Sequence, residues 1–75
     1  MPLANILPGE RCLVVRIASQ DAKLRKHLED LGIITGAALT ALSYSDGNVI
    51  VRVCDSRIAL NGDVARSIIV SKRSA

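Results

Sequence analysis

The dipeptide Asp46-Gly47 constrains the fold of this chain more than any other feature of its sequence. Both central residues of a type I′ turn need a positive φ, and Asp-Gly is one of the pairs that adopt it most readily. The flanking stretches GAALTALSYS and NVIVRVCD have strand character, and Val49, Val51 and Val53 share one face of the second stretch. The sequence therefore predicts an antiparallel hairpin in the middle of the chain.

Three further short runs are typical of strands and bring the expected number to five. RCLVVRI follows the turn signal LPGE, and SRIAL and SIIVS lie between turn-forming residues. Cys12 and Val14 have one parity and Ile17 the other, so a bulge near Val15 and Arg16 would bring all three inward. Five short strands around so small a core favour a closed or nearly closed barrel, because closure removes unpaired strand edges.

One segment, SQDAKLRKHLEDLG, has helical periodicity. Ser19 or Asp21 can cap its start, and Gly32 can take the left-handed conformation at its end. The leucines at core spacing are Leu24, Leu28 and Leu31. The charged residues spaced to pair on the solvent side are Arg25 with Glu29 and Lys26 with Asp30. The sequence thus predicts a mainly β fold with one short α-helix after the first strand, a single helical turn at NGDVAR, and a frayed tail from about residue 72.

Composition indicates a single globular domain over residues 1–75. Hydrophobic residues make up 49% and charged residues 23%, and Tyr44 is the one aromatic residue, so the core is expected to be aliphatic. No apolar run reaches the ~20 residues of a membrane helix, and the first residues lack the features of a signal peptide. Two cysteines are too few for a disulfide scaffold. We therefore expect a cytoplasmic protein that does not insert into the membrane.

Residues that carry metal or catalytic chemistry are sparse. His27 is the one histidine, and no H-x-x-E or C-x-x-C spacing is present. A nucleophile with a base and an orienting group is not evident, and there is no G-x-x-x-x-G-K-[ST] phosphate loop. We expect no catalytic residues, no metal ligands and no cofactor. Cys12 is expected to be buried and Cys54 partly exposed.

Nucleic-acid binding is the main alternative for a small barrel. The net charge is only +3, and the basic residues are spread along the chain. One tyrosine is a poor platform for stacking bases. Contact with phosphates through Arg52, Arg57 and the Lys72-Arg73 tail stays open, but the pattern disfavours this function.

Several motifs in order resemble one family. Leu3, Ile6 and Leu7-Pro8-Gly9 are similar to an L-x-x-L-x-P-G opening, and LRKHLEDLGIITGAAL is similar to a leucine-spaced helix that runs into L-G-[LIM]-x-P-G. VIVRV and RIALNGDVARSIIV resemble the closing strands. Together these motifs resemble FeoA-type proteins, the small accessories of ferrous-iron transport. Thr35 stands where that pattern has proline.

The resemblance implies an SH3-like five-stranded barrel without enzymatic activity. It implies a cytosolic accessory protein that binds and modulates the cytosolic GTPase part of a FeoB-type ferrous-iron transporter. A related barrel occurs in iron-dependent repressors, so a self-associating regulatory domain remains an alternative beside the nucleic-acid-binding barrel, and a homo-oligomer stays open.

A protein partner needs an apolar patch with a polar rim. The segment Gly32–Gly36 is the best candidate, because so thin a barrel is not expected to bury both adjacent isoleucines, although both could belong to the core. The candidate partner-binding residues are Arg25, His27, Ile33, Ile34, Tyr44 and Arg57.

Overall fold

Five antiparallel strands form one sheet in the computed structural model, which describes residues 1–73. The elements in chain order are a 3-10 turn (Leu3–Asn5), β1 (Arg11–Ile17), α1 (Ala22–Asp30), β2 (Ala38–Ser45), β3 (Asn48–Val53), β4 (Ser56–Asn61), α2 (Gly62–Ser67) and β5 (Ile68–Lys72). The expectation of a mainly β chain with five strands is confirmed. None of the helices in residues 1–73 is long and apolar enough to cross a membrane.

The central hairpin forms where the sequence predicted it. Asp46 and Gly47 have φ values of 51° and 79°, and Ser45 lies opposite Asn48 across the turn. The next hairpin joins β3 to β4 through Cys54 and Asp55, and Cys54 also has a positive φ, of 54°. These two turns place β2, β3 and β4 side by side.

The sheet is open, so the prediction of a closed or nearly closed barrel is wrong. The strand order is β4-β3-β2-β1-β5, with β4 and β5 at the two edges. The physical reason is the connection between them: α2 follows β4 at once and leads directly into β5, so the chain turns through a helix where a closing pair would be needed. The edge of β5 is covered instead by the start of the chain, since Pro2 bridges Ile69 and the Val70 amide donates to the Met1 carbonyl at 2.7 Å.

The predicted bulge in β1 is present and shapes the core. The register of β1 against β5 shifts between Val14 and Arg16, which leaves Cys12 and Val14 buried and Ile17 half-buried. The core contains no aromatic ring, as expected. Its members are Leu3, Ile6, Cys12, Val14, Leu28, Ile33, Leu39, Ala41, Val49, Val51, Val53, Leu60, Ala65, Ile68 and Val70.

Helix α1 is attached to the sheet through one fully buried side chain, Leu28. Leu24 and Leu31, the other members of the predicted stripe, are only half-buried. The cap is Asp21, whose Oδ1 accepts from the amides of Lys23 and Leu24 at 3.0 and 3.2 Å. The helix thus starts at Ala22, after the first part of the predicted helical segment.

The sequence predicted one α-helix, and the structure contains two within residues 1–73, α1 and α2. The turn expected at NGDVAR is the six-residue helix α2, whose cap Asn61 accepts from the Val64 amide at 2.8 Å. The 3-10 turn near the start is a further helical element. The 3-10 turn contributes the buried residue Leu3, and α2 contributes Ala65, so both belong to the core.

Strand β5 continues through part of the tail that the sequence analysis expected to fray. Lys72 pairs with Cys12 in the sheet, and the Arg73 amide donates to the Arg11 carbonyl at 2.9 Å. The Lys72 Nζ lies 2.5 Å from Glu10 Oε2. The hydrogen bond from Lys72, aided by one from the Leu7 amide, lowers the pKa of Glu10 below its usual 4.5. The remainder of the tail, 74–75, lies outside the described residues.

Candidate docking surface

The end of α1 fixes the position of the two adjacent isoleucines. Gly32, with a φ of 90°, donates from its amide to the Glu29 carbonyl at 2.9 Å, and the Ile33 amide donates to the Leu28 carbonyl at 2.8 Å. This pair of bonds is a Schellman motif, which needs a left-handed residue of the glycine type at this position. The motif usually includes an apolar contact between the two residues joined by its longer bond. Both of those residues, Leu28 and Ile33, belong to the core here.

The two adjacent isoleucines differ in solvent exposure. Ile33 is 1% exposed, whereas Ile34 is 48% exposed. The Schellman turn directs the Ile33 side chain into the core, and Ile33 as a partner contact stays a prediction. The alternative that both residues are buried is wrong, because solvent reaches Ile34.

An open groove of about 390 Å³ lies between α1 and the segment before β2. Its lining residues are Ile17, Arg25, Glu29, Ile33, Ile34 and Thr35. The isoleucines supply its apolar surface, and Arg25 and Glu29 add one charge of each sign. The expected Arg25–Glu29 ion pair is not among those formed within residues 1–73, while Lys26 and Asp30 do pair, at 3.0 Å. Both charged groups at the groove are thus available to a partner.

The structure brings only some of the six candidate residues together. Arg25, Ile33 and Ile34 meet at the groove, but His27, Tyr44 and Arg57 do not line it. His27 is exposed on α1, and its carbonyl accepts from the Leu31 amide at 3.1 Å. Tyr44 and Arg57 lie on β2 and β4, and both are exposed. The patch predicted from the sequence is therefore divided between separate surfaces.

Tyr44 is close enough to the start of β1 to respond to its charges. Partial burial raises the pKa of the Tyr44 hydroxyl, and the negative charge of Glu10 adds to the effect. Its side chain is 41% exposed, and Tyr44 lies opposite Val49 in the β2–β3 pair. Tyr44 is thus an exposed ring near the hairpin end of the sheet, apart from the groove.

Sequence reasoning missed Ile17, Glu29 and Thr35 as parts of the site. The sequence did contain a signal for Ile17, because the bulge in β1 predicted that its side chain would turn inward. In the structure Ile17 borders the groove. Glu29 was treated only as the partner of Arg25. Thr35 was noted only as a departure from a proline pattern, and its exposure depends on the path of the chain after Gly32.

No group of three or more His, Cys, Asp or Glu side chains in residues 1–73 is arranged to hold a metal ion. Cys12 is a buried free thiol and Cys54 an exposed one, as expected. Burial raises the pKa of the Cys12 thiol, which keeps it in the neutral form.

The chain is similar to known proteins of one domain family. The family model of the FeoA domain matches residues 1–72. No protein among the curated sequences matches the chain. One solved structure, an iron uptake regulatory protein (FeoA), is 30% identical, with a TM-score of 0.86, over 97% of this chain and 96% of the other.

Two more distant structures show the same fold. A FeoA from Stenotrophomonas maltophilia, described as a procaryotic SH3 domain protein and complexed with zinc, is 20% identical over 95% of this chain and 89% of its own, with a TM-score of 0.82. A manganese-dependent transcriptional repressor is 22% identical over 96% of this chain and 40% of its own, with a TM-score of 0.89. The open five-stranded sheet is therefore SH3-like.

Proposed function

Since the chain belongs to the FeoA domain family, we propose that it is a cytoplasmic, non-enzymatic accessory protein of ferrous-iron uptake that binds and modulates the cytosolic GTPase part of a FeoB-type transporter. The docking surface is the groove at the end of α1. The observation that carries the proposal is the position of Ile34, an exposed aliphatic side chain on a segment whose neighbour Ile33 is fixed in the core.

The groove has the features that protein interfaces share. An apolar centre with charges at its edge is the usual arrangement, and a few side chains near the centre supply most of the binding free energy. Ile34 is that central residue here, while Arg25 and Glu29 offer partners for groups of either charge. The Schellman turn holds the segment before binding, so little conformational entropy is lost when the partner docks.

A calorimetric titration tests this proposal. The folded chain is titrated into the cytosolic GTPase domain of the transporter from the same organism, in the apo, GDP-bound and GTP-analogue-bound forms, at near-physiological salt. We expect saturable binding in at least one form, accompanied by a change in the rate of GTP hydrolysis. An absence of heat in all three forms would refute the proposal.

Two matched variants locate the surface. Ile34→Asp places a charge at the centre of the groove and should weaken binding by about tenfold or more, as expected for a central interface residue. Leu7→Asp makes the same change at an aliphatic residue that is 64% exposed but does not line the groove, and binding should be retained. Equal loss in both variants would argue against the groove, and circular dichroism must show that both remain folded.

The alternative functions give different results in the same laboratory tests. A nucleic-acid-binding barrel would bind an oligonucleotide with an affinity that falls steeply with salt. A self-associating regulatory domain would show a concentration-dependent mass in sedimentation experiments. Either result, combined with no binding to the transporter domain, would replace the proposed function.

A further inference from the structure

A row of arginines crosses the sheet away from the groove. Arg57 on β4 lies opposite Arg52 on β3, Arg52 lies opposite Thr40 on β2, and Thr40 lies opposite Arg11 on β1. Residues paired across an antiparallel sheet have side chains on the same face. The main-chain bond from the Arg73 amide to the Arg11 carbonyl extends the row to the residue that directly follows β5. We call Arg11, Arg52 and Arg57, with Thr40 between them, the arginine row.

The arginine row lies on the outer face of the sheet. Its three arginines are exposed, while the neighbours along the strands, such as Cys12, Val51 and Val53, are buried. Adjacent strands are about 4.8 Å apart, so three steps from Arg57 to Arg11 span roughly 15 Å. The row thus spans four adjacent strands and carries three positive charges, with the uncharged Thr40 between Arg11 and Arg52.

The charges of the row are not neutralised by neighbouring side chains within residues 1–73. The ion pairs formed there are Lys26–Asp30, Arg66–Asp63 and Lys72–Glu10, and none includes a member of the row. The acids closest to it in sequence are Glu10, which precedes Arg11 but pairs with Lys72, and Asp55, in the turn that joins β3 to β4. Like charges directly opposite each other, as in Arg52 and Arg57, destabilise a sheet. Such an arrangement is explained if a ligand of opposite charge uses it.

We infer that the arginine row is a docking surface for an acidic protein segment, and this inference does not depend on the proposed function of the groove. Arginine side chains bind carboxylates through two parallel hydrogen bonds and are enriched at protein interfaces. The row lacks the aromatic rings on which single-stranded bases stack, because Tyr44, the one aromatic residue, is paired with the inward-facing Val49. The lack of stacking rings favours a carboxylate-rich protein segment over single-stranded nucleic acid.

Amide chemical shifts measured by NMR test the inference with a defined probe. A ten-residue glutamate peptide is added to the isotope-labelled chain at low salt. We expect shifts centred on residues 11, 40, 52 and 57 that shrink as salt is raised, because exposed charge pairs are screened. No shifts, or shifts centred on the lysines of α1, would overturn the inference.

Charge-matched variants separate the arginine row from the overall charge. Arg52→Gln with Arg57→Gln should reduce peptide affinity by about tenfold or more, since charged hydrogen bonds are lost. Lys23→Gln with Lys26→Gln removes the same amount of charge from α1. It should change the peptide affinity by less than about twofold, because exposed charges away from the binding surface contribute little. Arg52→Lys with Arg57→Lys keeps the charge without the forked geometry and should fall between the two. Equal effects of the arginine and lysine pairs would overturn the inference.

Two further readouts exclude a structural role and a different ligand. Because Arg52 and Arg57 repel each other, Arg52→Gln should leave the midpoint of thermal unfolding unchanged or raise it, and a clear drop would mean that the row serves stability. A twenty-residue thymidine oligonucleotide and a DNA duplex of equal length serve as competing ligands. Tighter binding of either one at the row than of the glutamate peptide would overturn the assignment to an acidic protein segment.

Discussion

Replacing Leu28 with alanine tests whether one side chain anchors α1 and the groove beside it. Leu28 is fully buried, and its carbonyl accepts the Ile33 amide bond that closes the helix. A buried Leu→Ala change costs about 2 to 5 kcal/mol, depending on how far the surroundings collapse into the cavity. Helix α1 has no second fully buried residue to hold it in place. It can therefore shift inward, and we expect a loss in the lower part of the range, about 2 to 3 kcal/mol.

This loss is a large fraction of the total free energy of unfolding of so small a chain. A chain of this length has a free energy of unfolding of about 4 to 11 kcal/mol, and the urea dependence for small proteins is about 1 kcal/mol per M. The midpoint of urea unfolding, followed by circular dichroism, should thus fall by about 2 to 3 M. The exposed Lys23→Ala change on the same helix is the control and should stay within about 0.5 kcal/mol of the wild type.

One outcome of the Leu28→Ala experiment would refute the role of Leu28 as the anchor of α1. A midpoint shifted by less than about 0.5 M would mean that Leu28 contributes little to the core and that the described attachment of α1 is incorrect. The variant should also weaken docking at the groove, because Ile33 packs with Leu28 and positions Ile34.

Three further predictions concern caps and charges. Asp21→Ala removes the oxygen that caps two amides of α1 and should cost about 0.5 to 2 kcal/mol in urea unfolding. Gly32→Ala places a Cβ at a φ of 90° and 3.3 Å from Val53 Cγ1, so it should cost about 1 to 2 kcal/mol by the same assay. The pKa of Glu10 is lowered by Lys72, so the pair stabilises the fold above the unfolded value of 4.5 and loses that contribution as pH falls through the lowered pKa. The stability difference between wild type and Glu10→Gln should therefore shrink as pH is lowered from about 6 to 3, and a constant difference would contradict the pairing.

Local chemistry explains which parts of the fold could be predicted. Asp46 and Gly47 meet the φ requirement of a tight hairpin by themselves, and the bulge in β1 follows from the parity of Cys12, Val14 and Ile17. These features depend on residues close together in the chain. The mainly β class and the FeoA resemblance followed from the order of such local features.

Closure of the sheet and the composition of the surfaces could not be predicted in the same way. Whether β4 meets β5 depends on how α2 spans the gap between them, which is a long-range property. The burial of Ile33 and the exposure of Ile34 depend on the direction of the chain after the Schellman turn. Likewise, the arginine row depends on the register of four strands, and its members are far apart in the sequence.

The most direct test of the docking surface is an amide NMR footprint of the isotope-labelled chain with the unlabelled cytosolic GTPase domain of the FeoB-type transporter. We expect the largest shifts and line broadening at residues 33–35 and at Arg25 and Glu29, with loss of these changes in Ile34→Asp. A footprint elsewhere on the chain, or no change at saturating partner, would contradict the assignment of the groove as the site where this protein meets the transporter.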